Sequence, residues 1–225
     1  MPLTLPSTLV ADSSAYICGV SIANRIFAAV YDPVSARWEQ KYGAELKRKL
    51  LAAARGRVLE IGVGTGLSFP HYPEVDELFG VEPSEPMRRR ALHRANELGR
   101  EVTLVDAPAE QLPFEDESFD TAVSMAVLCS VHEPGRAVRE LHRVLRKSGR
   151  FLFLEHVRSP HERRARWQDR LERPWGAIAG GCHPNRSTLQ TIEAGGFEVT
   201  ELEQGELPAQ PRLVRPYVKG VAVRR

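Results

Sequence analysis

The run "RVLEIGVGTG", residues 57 to 66, constrains the fold more than any other part of the chain. Val58, Leu59 and Ile61 form an apolar stretch broken only by Glu60, and Gly62, Gly64 and Gly66 follow at once. A short apolar run reads as a buried strand, and the glycines after it read as a tight turn into the next element. A buried strand running into a glycine-rich loop is the opening unit of an open α/β sheet. A nucleotide commonly lies across such a loop.

The rest of the chain keeps that rhythm. Strands are expected over "RVLEIG", "ELFGVEP", "EVTLVDA", "FDTAVSMAV" and "RFLFLEHV". Helices are expected over "EPMRRRALHRANELG", ending at Gly99, and "PGRAVRELHRVLRKSG", ending at Gly149. "NRSTLQTIEAGG" is a further helix, and "FEVTELEQ" and "PYVKGVAVRR" are a sixth and a seventh strand. Strands separated by helices predict a mostly parallel sheet with helices on both faces. The last two strands have no helix between them and are expected to pair antiparallel at one edge. Upstream, residues 1 to about 15 read as a loose arm. Apolar residues from Ile22 to Tyr31 are spaced helically. Asp32 or Ser35 starts a second helix carrying Trp38, Tyr42, Leu46, Leu50 and Leu51. One domain accounts for all 225 residues: an arm and helical cap over 1–55, a cofactor-binding core over 56–156, and a substrate lid with C-terminal strands over 157–225.

Composition narrows the class. A formal net charge of +2 gives no overall field that would favour nucleic acid. Cys18, Cys129 and Cys182 are odd in number and far apart, with no C-x-x-C and no Cys/His cluster, so neither a disulfide framework nor a metal site is expected. The apolar stretch over 16–31 is short and carries Asn24 and Arg25, which argues against stable membrane insertion. A cytoplasmic protein with a small-molecule substrate is the expectation, and the sequence says nothing of its oligomeric state.

The loop selects among nucleotides. G-x-G-x-G differs from the dinucleotide fingerprint G-x-G-x-x-G, because Leu67 stands where the third glycine belongs. Glu60 lies two residues before the first glycine. A pyrophosphate is repelled by a nearby carboxylate, whereas a ligand with an ammonium and a sulfonium is attracted. S-adenosylmethionine has both groups. Glu82, at the end of the second strand, is placed to accept hydrogen bonds from the two hydroxyls of a ribose.

With "VLEIGVGTG", "GVEPSEPM", "AEQLPFEDESFD", "VLCSV" and "RVLRKSGRFLFLEH" in this order, the chain resembles the class I S-adenosylmethionine-dependent methyltransferases from about Tyr31 to Val223. The resemblance implies a Rossmann-like, doubly wound sheet of seven strands, mostly parallel with the last strand antiparallel. It implies Glu60, Gly62, Gly64 and Gly66 around the methionine half of the cofactor, Glu82 on the ribose, and Pro83 and Met87 near the adenine. One departure matters. Many relatives carry Asp-Ala-Glu before Leu-Pro-Phe, and that Asp holds the adenine amino group. Here Pro108 stands at the position, and Asp106 is two residues earlier. Ala107 and Ala109 are therefore expected beside the adenine. An N/D-P-P-aromatic motif, typical of nucleic-acid methylation, is absent after the fourth strand, where "SMAVLCSV" stands.

The acceptor side is less regular. Residues 157–185 carry a basic amphipathic helix with Trp167 and Trp175. The simpler reading of that helix is a solvated face with both Trp in the core; a lid over an apolar pocket is the alternative for Trp175 and "GAIAGG". Together with "TGLSFPHYP", "GGCHPNRST" and "LVRPYVKGVAV", these segments look like the small thiol S-methyltransferases of the methyltransferase-like group. In the animal proteins of that group an N-terminal segment anchors the chain to a membrane; residues 1–31 do not read as one. The implied reaction is methyl transfer to a small hydrophobic acceptor, a thiol first and an oxygen, nitrogen or carbon nucleophile as the alternative. His156, just past the fifth strand, and His183, in the lid, are the candidate bases. Tyr31 either closes over the methionine carboxylate or packs. Arg186 either holds an anionic group or pairs with an acid, and Cys129 and Cys182 read as small buried fillers.

Overall fold

The computed structural model describes residues 31–33 and 35–225. The arm and the helix expected from Ile22 lie, apart from Tyr31, outside the described residues, as do Cys18 and Phe27. Residues 31–33 and 35–38 are helical, and a π-helical turn at Glu39–Gly43 leads into α1 (Ala44–Leu51). The alternating part follows as β1 (Arg57–Ile61), β2 (Glu77–Val81), α2 (Glu85–Glu97), β3 (Thr103–Val105), β4 (Phe119–Met125), α3 (Pro134–Val144) and β5 (Leu145–His156). The chain ends with α4 (Glu162–Ile178), α5 (Thr188–Ala194), β6 (Phe197–Glu206) and β7 (Pro216–Arg224).

The seven strands form one sheet in the order β3-β2-β1-β4-β5-β7-β6. Strands β1 to β5 are mutually parallel, and β7 runs antiparallel to both β5 and β6. This is the expected doubly wound sheet. The last two strands pair antiparallel at one edge, with β7 beside β5 and β6 outermost. Burial explains the order: six of the nine residues of β7 are buried, and only Phe197 of β6 is.

The central strands alternate between two apolar layers. Leu59 and Ile61 of β1, Phe151 and Phe153 of β5, and Val218 and Ala222 of β7 meet Ala137, Val138, Leu141 and Val144 of α3 and Ile192 of α5. Val58, Leu152, Leu154 and Val221 face the other way, onto Leu50 and Leu51 of α1 and Ala91 and Ala95 of α2. Residues 137, 138, 141 and 144 are one helical stripe. That helix ends at Val144, not at Gly149 as expected, because Leu145 turns extended (φ −75°, ψ 141°) and pairs with Phe119 on β4. Leu145 is fully buried there, and the strand bulges through Ser148, which is in the left-handed region, before it pairs with β4 again at Arg150. A correction concerns α4: Trp167 is 56% exposed, so it is not a core residue, and Trp175 is only partly covered.

Chain reversal between β1 and β4, where the order turns from β3-β2-β1 to β4-β5, opens a crevice at the carboxyl ends of these strands, and ligands bind at such switch points. At the other end of the sheet, Phe79, Phe114 and Phe119 pack edge to face at 4.9 to 5.7 Å, and the Arg57 guanidinium lies 4.9 Å from the Phe119 ring centre. Phe119→Ala removes the ring that takes part in all but the Phe79–Phe114 contact and is expected to cost about 3–5 kcal/mol in urea unfolding, the usual range for a buried aromatic.

Candidate active site

Gly62, Gly64 and Gly66 all have positive φ (59°, 55° and 76°), which L side chains rarely adopt. Two of them also matter for space. A Cβ on Gly62 would stand 2.6 Å from Val127, in the loop after β4, so the two loops can meet only over a glycine. A Cβ on Gly64 would meet nothing within 4 Å, so that backbone faces open space. The Gly64 N–H donates to Glu82 Oε2 at 3.0 Å, and the Ser84 N–H donates to Oε1 at 2.8 Å. Burial pushes the Glu82 carboxyl up, while these two amides pull it back. Met87, Ala107 and Ala109 are buried and Pro83 is exposed. An acceptor-only carboxylate, an open glycine backbone and small apolar walls suit an adenosine: hydroxyls on the acid, base against the alanines.

Glu60 is enclosed. Its Oε2 accepts from Ser68 Oγ at 2.7 Å and Tyr72 OH at 3.0 Å, which ties the turn after the glycine loop back to β1. Burial raises its pKa to about 7 against the pull of those hydroxyls. Above the loop, Thr65 Oγ1 donates to Asp32 Oδ1 at 2.5 Å. Arg94 donates to Asp32 Oδ2 at 2.9 Å and to the Thr65 carbonyl. This knot pins residues 31–33 beside the glycines. Burial, with the Glu39, Asp32 and Glu82 carboxylates nearby, pushes the Tyr31 phenol up to about 12, so it is neutral and stands close to the cleft. Asp106 is exposed and paired with Arg88 at 2.7 Å.

The opposite wall is the loop after β4. The buried Glu155 carboxylate of β5 accepts Ser124 Oγ at 2.6 Å and the N–H groups of Val127, Leu128 and Cys129 at 3.1 to 3.3 Å. The lid fastens to the same loop. His183 N–H donates to the Cys129 carbonyl at 2.7 Å, and Arg186 donates to the Leu128 carbonyl at 2.6 Å. Cys129, Cys182 and Val214 form a small apolar cluster with Trp175 and Ala179 against it. The Cys182 sulfur and burial hold the Cys129 thiol protonated, well above the usual range. His183 Nδ1 lies 2.6 Å from Glu172 Oε1 of α4, and both side chains are about one-third exposed. His156 differs. It is half-buried on the other face of β5, burial lowers its pKa, the Val214 backbone bonds its ring, and Nδ1 has no partner among the described residues.

The structure therefore joins Glu82 to the glycine loop through Gly64, buries Met87, Ala107 and Ala109, and bonds the His183 backbone to the loop after β4. Sequence reading overlooked Glu172, Glu155, Asp32 as a tether, and Arg94. Each acts on a partner 11 to 62 positions away, and no local pattern marks such a pair. Among the described residues no cluster of His, Cys, Asp and Glu could hold a metal ion, and no helix is long and apolar enough to cross a membrane.

Residues 59–153 match the family model described as a methyltransferase domain. A solved structure from Thermotoga maritima, described as an S-adenosylmethionine-dependent methyltransferase and possible histamine N-methyltransferase, shares the fold (TM-score 0.66, 24% identity, 90% of this chain and 99% of that one). The chain belongs to the class I S-adenosylmethionine-dependent methyltransferases, and S-adenosylmethionine is its cofactor. Along nearly all its length it is similar to the thiol S-methyltransferase TMT1B of Rattus norvegicus, at 31% identity over 99% of this chain and 94% of that protein. The phosphatidylethanolamine N-methyltransferase of Cereibacter sphaeroides is 43% identical, but over only 46% of this chain and 52% of its own.

Gly64→Arg, which fills the open space, and Glu82→Ala are each expected to abolish or greatly weaken S-adenosylhomocysteine binding in calorimetric titration, with an unchanged circular dichroism spectrum. Glu60 supplies a pH test. Its carboxyl titrates near 4.5 when free and near 7 in the fold, so the folded chain keeps a proton that the unfolded chain has released. The ligand-free protein should lose about 3 kcal/mol of stability as pH rises from 4.5 to 7, and Glu60→Gln should remove that slope in urea titrations at several pH values.

Proposed function

We propose that the protein methylates the sulfur of a small hydrophobic thiol, with His183 as the base and Glu172 as the group that orients it. The contact between His183 and Glu172 at 2.6 Å, on a lid bonded to the loop after β4, carries the assignment. The thiol is favoured by the similarity to a thiol S-methyltransferase over the lid half as well as the cofactor half. The match to the phosphatidylethanolamine enzyme covers less than half of this chain, so it bears on the methyl donor and leaves the acceptor open.

When bound, S-adenosylmethionine supplies a methyl group made electrophilic by its sulfonium. The protein's part is alignment, exclusion of water and handling of one proton. Glu82 takes the ribose hydroxyls. The backbone of Gly62, Gly64 and Gly66 lets the donor approach, and Glu60 braces the turn behind them. Pro83, Met87, Ala107 and Ala109 take the adenine side, and Tyr31 covers the methionine side. His183 accepts the acceptor's S–H proton while Glu172 holds Nδ1. A free thiol is already a few per cent ionised at neutral pH, so the base adds to a reaction that can proceed without it. His156 is half-buried and burial lowers its pKa, so it stays neutral; its assigned work is to fix the Val214 segment behind the lid.

A tritium-methyl screen over small thiols, phenols, amines and quinols checks the acceptor: transfer to a thiol is expected, and transfer confined to oxygen, nitrogen or carbon overturns it. His183→Ala and Glu172→Gln are expected to lower kcat by about 10²-fold or more with cofactor affinity unchanged. The deficit should shrink as pH rises past about 8.5, where the thiol ionises unaided.

A further inference from the structure

Helix α4 has two faces of different character. The inner one is fixed to the body. Gln168 is fully buried; its amide donates to the carbonyls of Val157, Pro184 and Leu213 at 2.8 to 3.1 Å and accepts the Ser159 N–H at 2.7 Å. Ala165 is buried and Glu172 turns toward His183. The outer one carries Trp167, Leu171, Pro174 and Ile178, at spacings of four, seven and eleven residues, which is one continuous helical stripe. Trp167, Leu171 and Ile178 are 56%, 39% and 73% exposed. Single exposed apolar residues need no explanation, but an aligned stripe on a rigidly held helix does.

The charges beside the stripe are one-sided. The acids of α4 are all engaged: Glu162 with Arg166, Asp169 with Arg158, Glu172 with His183. Arg163, Arg170 and Arg173 are exposed and make no ion pair among the described residues, and the Arg170 guanidinium lies 5.8 Å from the Trp167 ring centre. At 100° per residue, 163, 170 and 173 fall along the same flank of the stripe. An apolar strip with Trp and Ile, edged by unneutralised arginines on a convex helix, has the chemistry of a segment that lies in the headgroup layer: the apolar residues enter the acyl boundary and the guanidinium groups meet lipid phosphates.

We propose that the outer face of α4 seats the protein on an anionic phospholipid surface. Gln168 holds the helix in place while its other side carries Glu172, so docking brings the candidate acceptor site to the bilayer edge. The docking does not depend on which atom is methylated.

The test floats the full chain with vesicles of phosphatidylcholine and phosphatidylglycerol, and with phosphatidylcholine alone. Association with the anionic vesicles is expected, weakened by salt. It should fall at least about tenfold in the triple variant Trp167→Ser, Leu171→Ser, Ile178→Ser and in the triple variant Arg163→Glu, Arg170→Glu, Arg173→Glu. Unchanged S-adenosylhomocysteine affinity shows that these chains are folded. Brominated phospholipid should quench the fluorescence of the unsubstituted chain, with that quenching lost in Trp167→Phe, a readout that survives if a triple variant does not fold. The proposal is overturned if the unsubstituted chain ignores anionic vesicles, or if both triple variants bind them as tightly as it does. It is also overturned if the stripe variant dissolves a dimer of the chain seen by sedimentation while vesicle binding is absent, because the stripe is then a protein interface.

Discussion

A single buried carboxylate joins the parts of this protein that do the work. Glu155 stands on β5 with no exposure to solvent, and its two oxygens are occupied by Ser124 and by three successive amides of the loop after β4. An unpartnered charge there would be costly, and the loop amides would be equally costly without an acceptor. Each satisfies the other, so the loop has one shape. That shape sets Val127 against Gly62 and presents the carbonyls of Leu128 and Cys129 to Arg186 and His183. The donor cleft and the lid are thus positioned by the same residue, which touches neither.

Glycine at 62 and glycine at 64 have different causes. Position 62 is small because protein fills the space above it, and position 64 is small because protein does not. The first is a packing constraint between two loops, and the second is clearance for a ligand. Sequence pattern cannot separate the two, since both appear as glycine in the same motif.

The alternating elements and the crevice were legible in the sequence because they depend on local signals: apolar runs of strand length, helical stripes and glycines at fixed spacing. Glu82 was legible for the same reason, as an acid at the end of a strand beside the glycine loop. The chain order of the sheet was harder to read. Two strands without a helix between them had to be antiparallel, but only burial of both faces of β7 decides that it lies inside and β6 outside. The lid was least legible. Trp167 and Trp175 look alike as apolar residues of one amphipathic helix, yet one faces solvent and the other the Cys129–Cys182 cluster. Their difference in angle becomes a difference in burial only once Gln168 has fixed the rotation of α4. Glu172, in turn, gains its meaning from His183, which the chain brings back from the far side of a loop.

The antiparallel course of β7 has a practical side. It begins at the ligand end of the sheet, where Tyr217 pairs with His156, and runs to the opposite rim, where Val223 pairs with Arg150. Arg225 therefore emerges away from both the crevice and the lid. A dye or a surface tether attached at position 225 leaves the working end of the molecule facing outward and unobstructed.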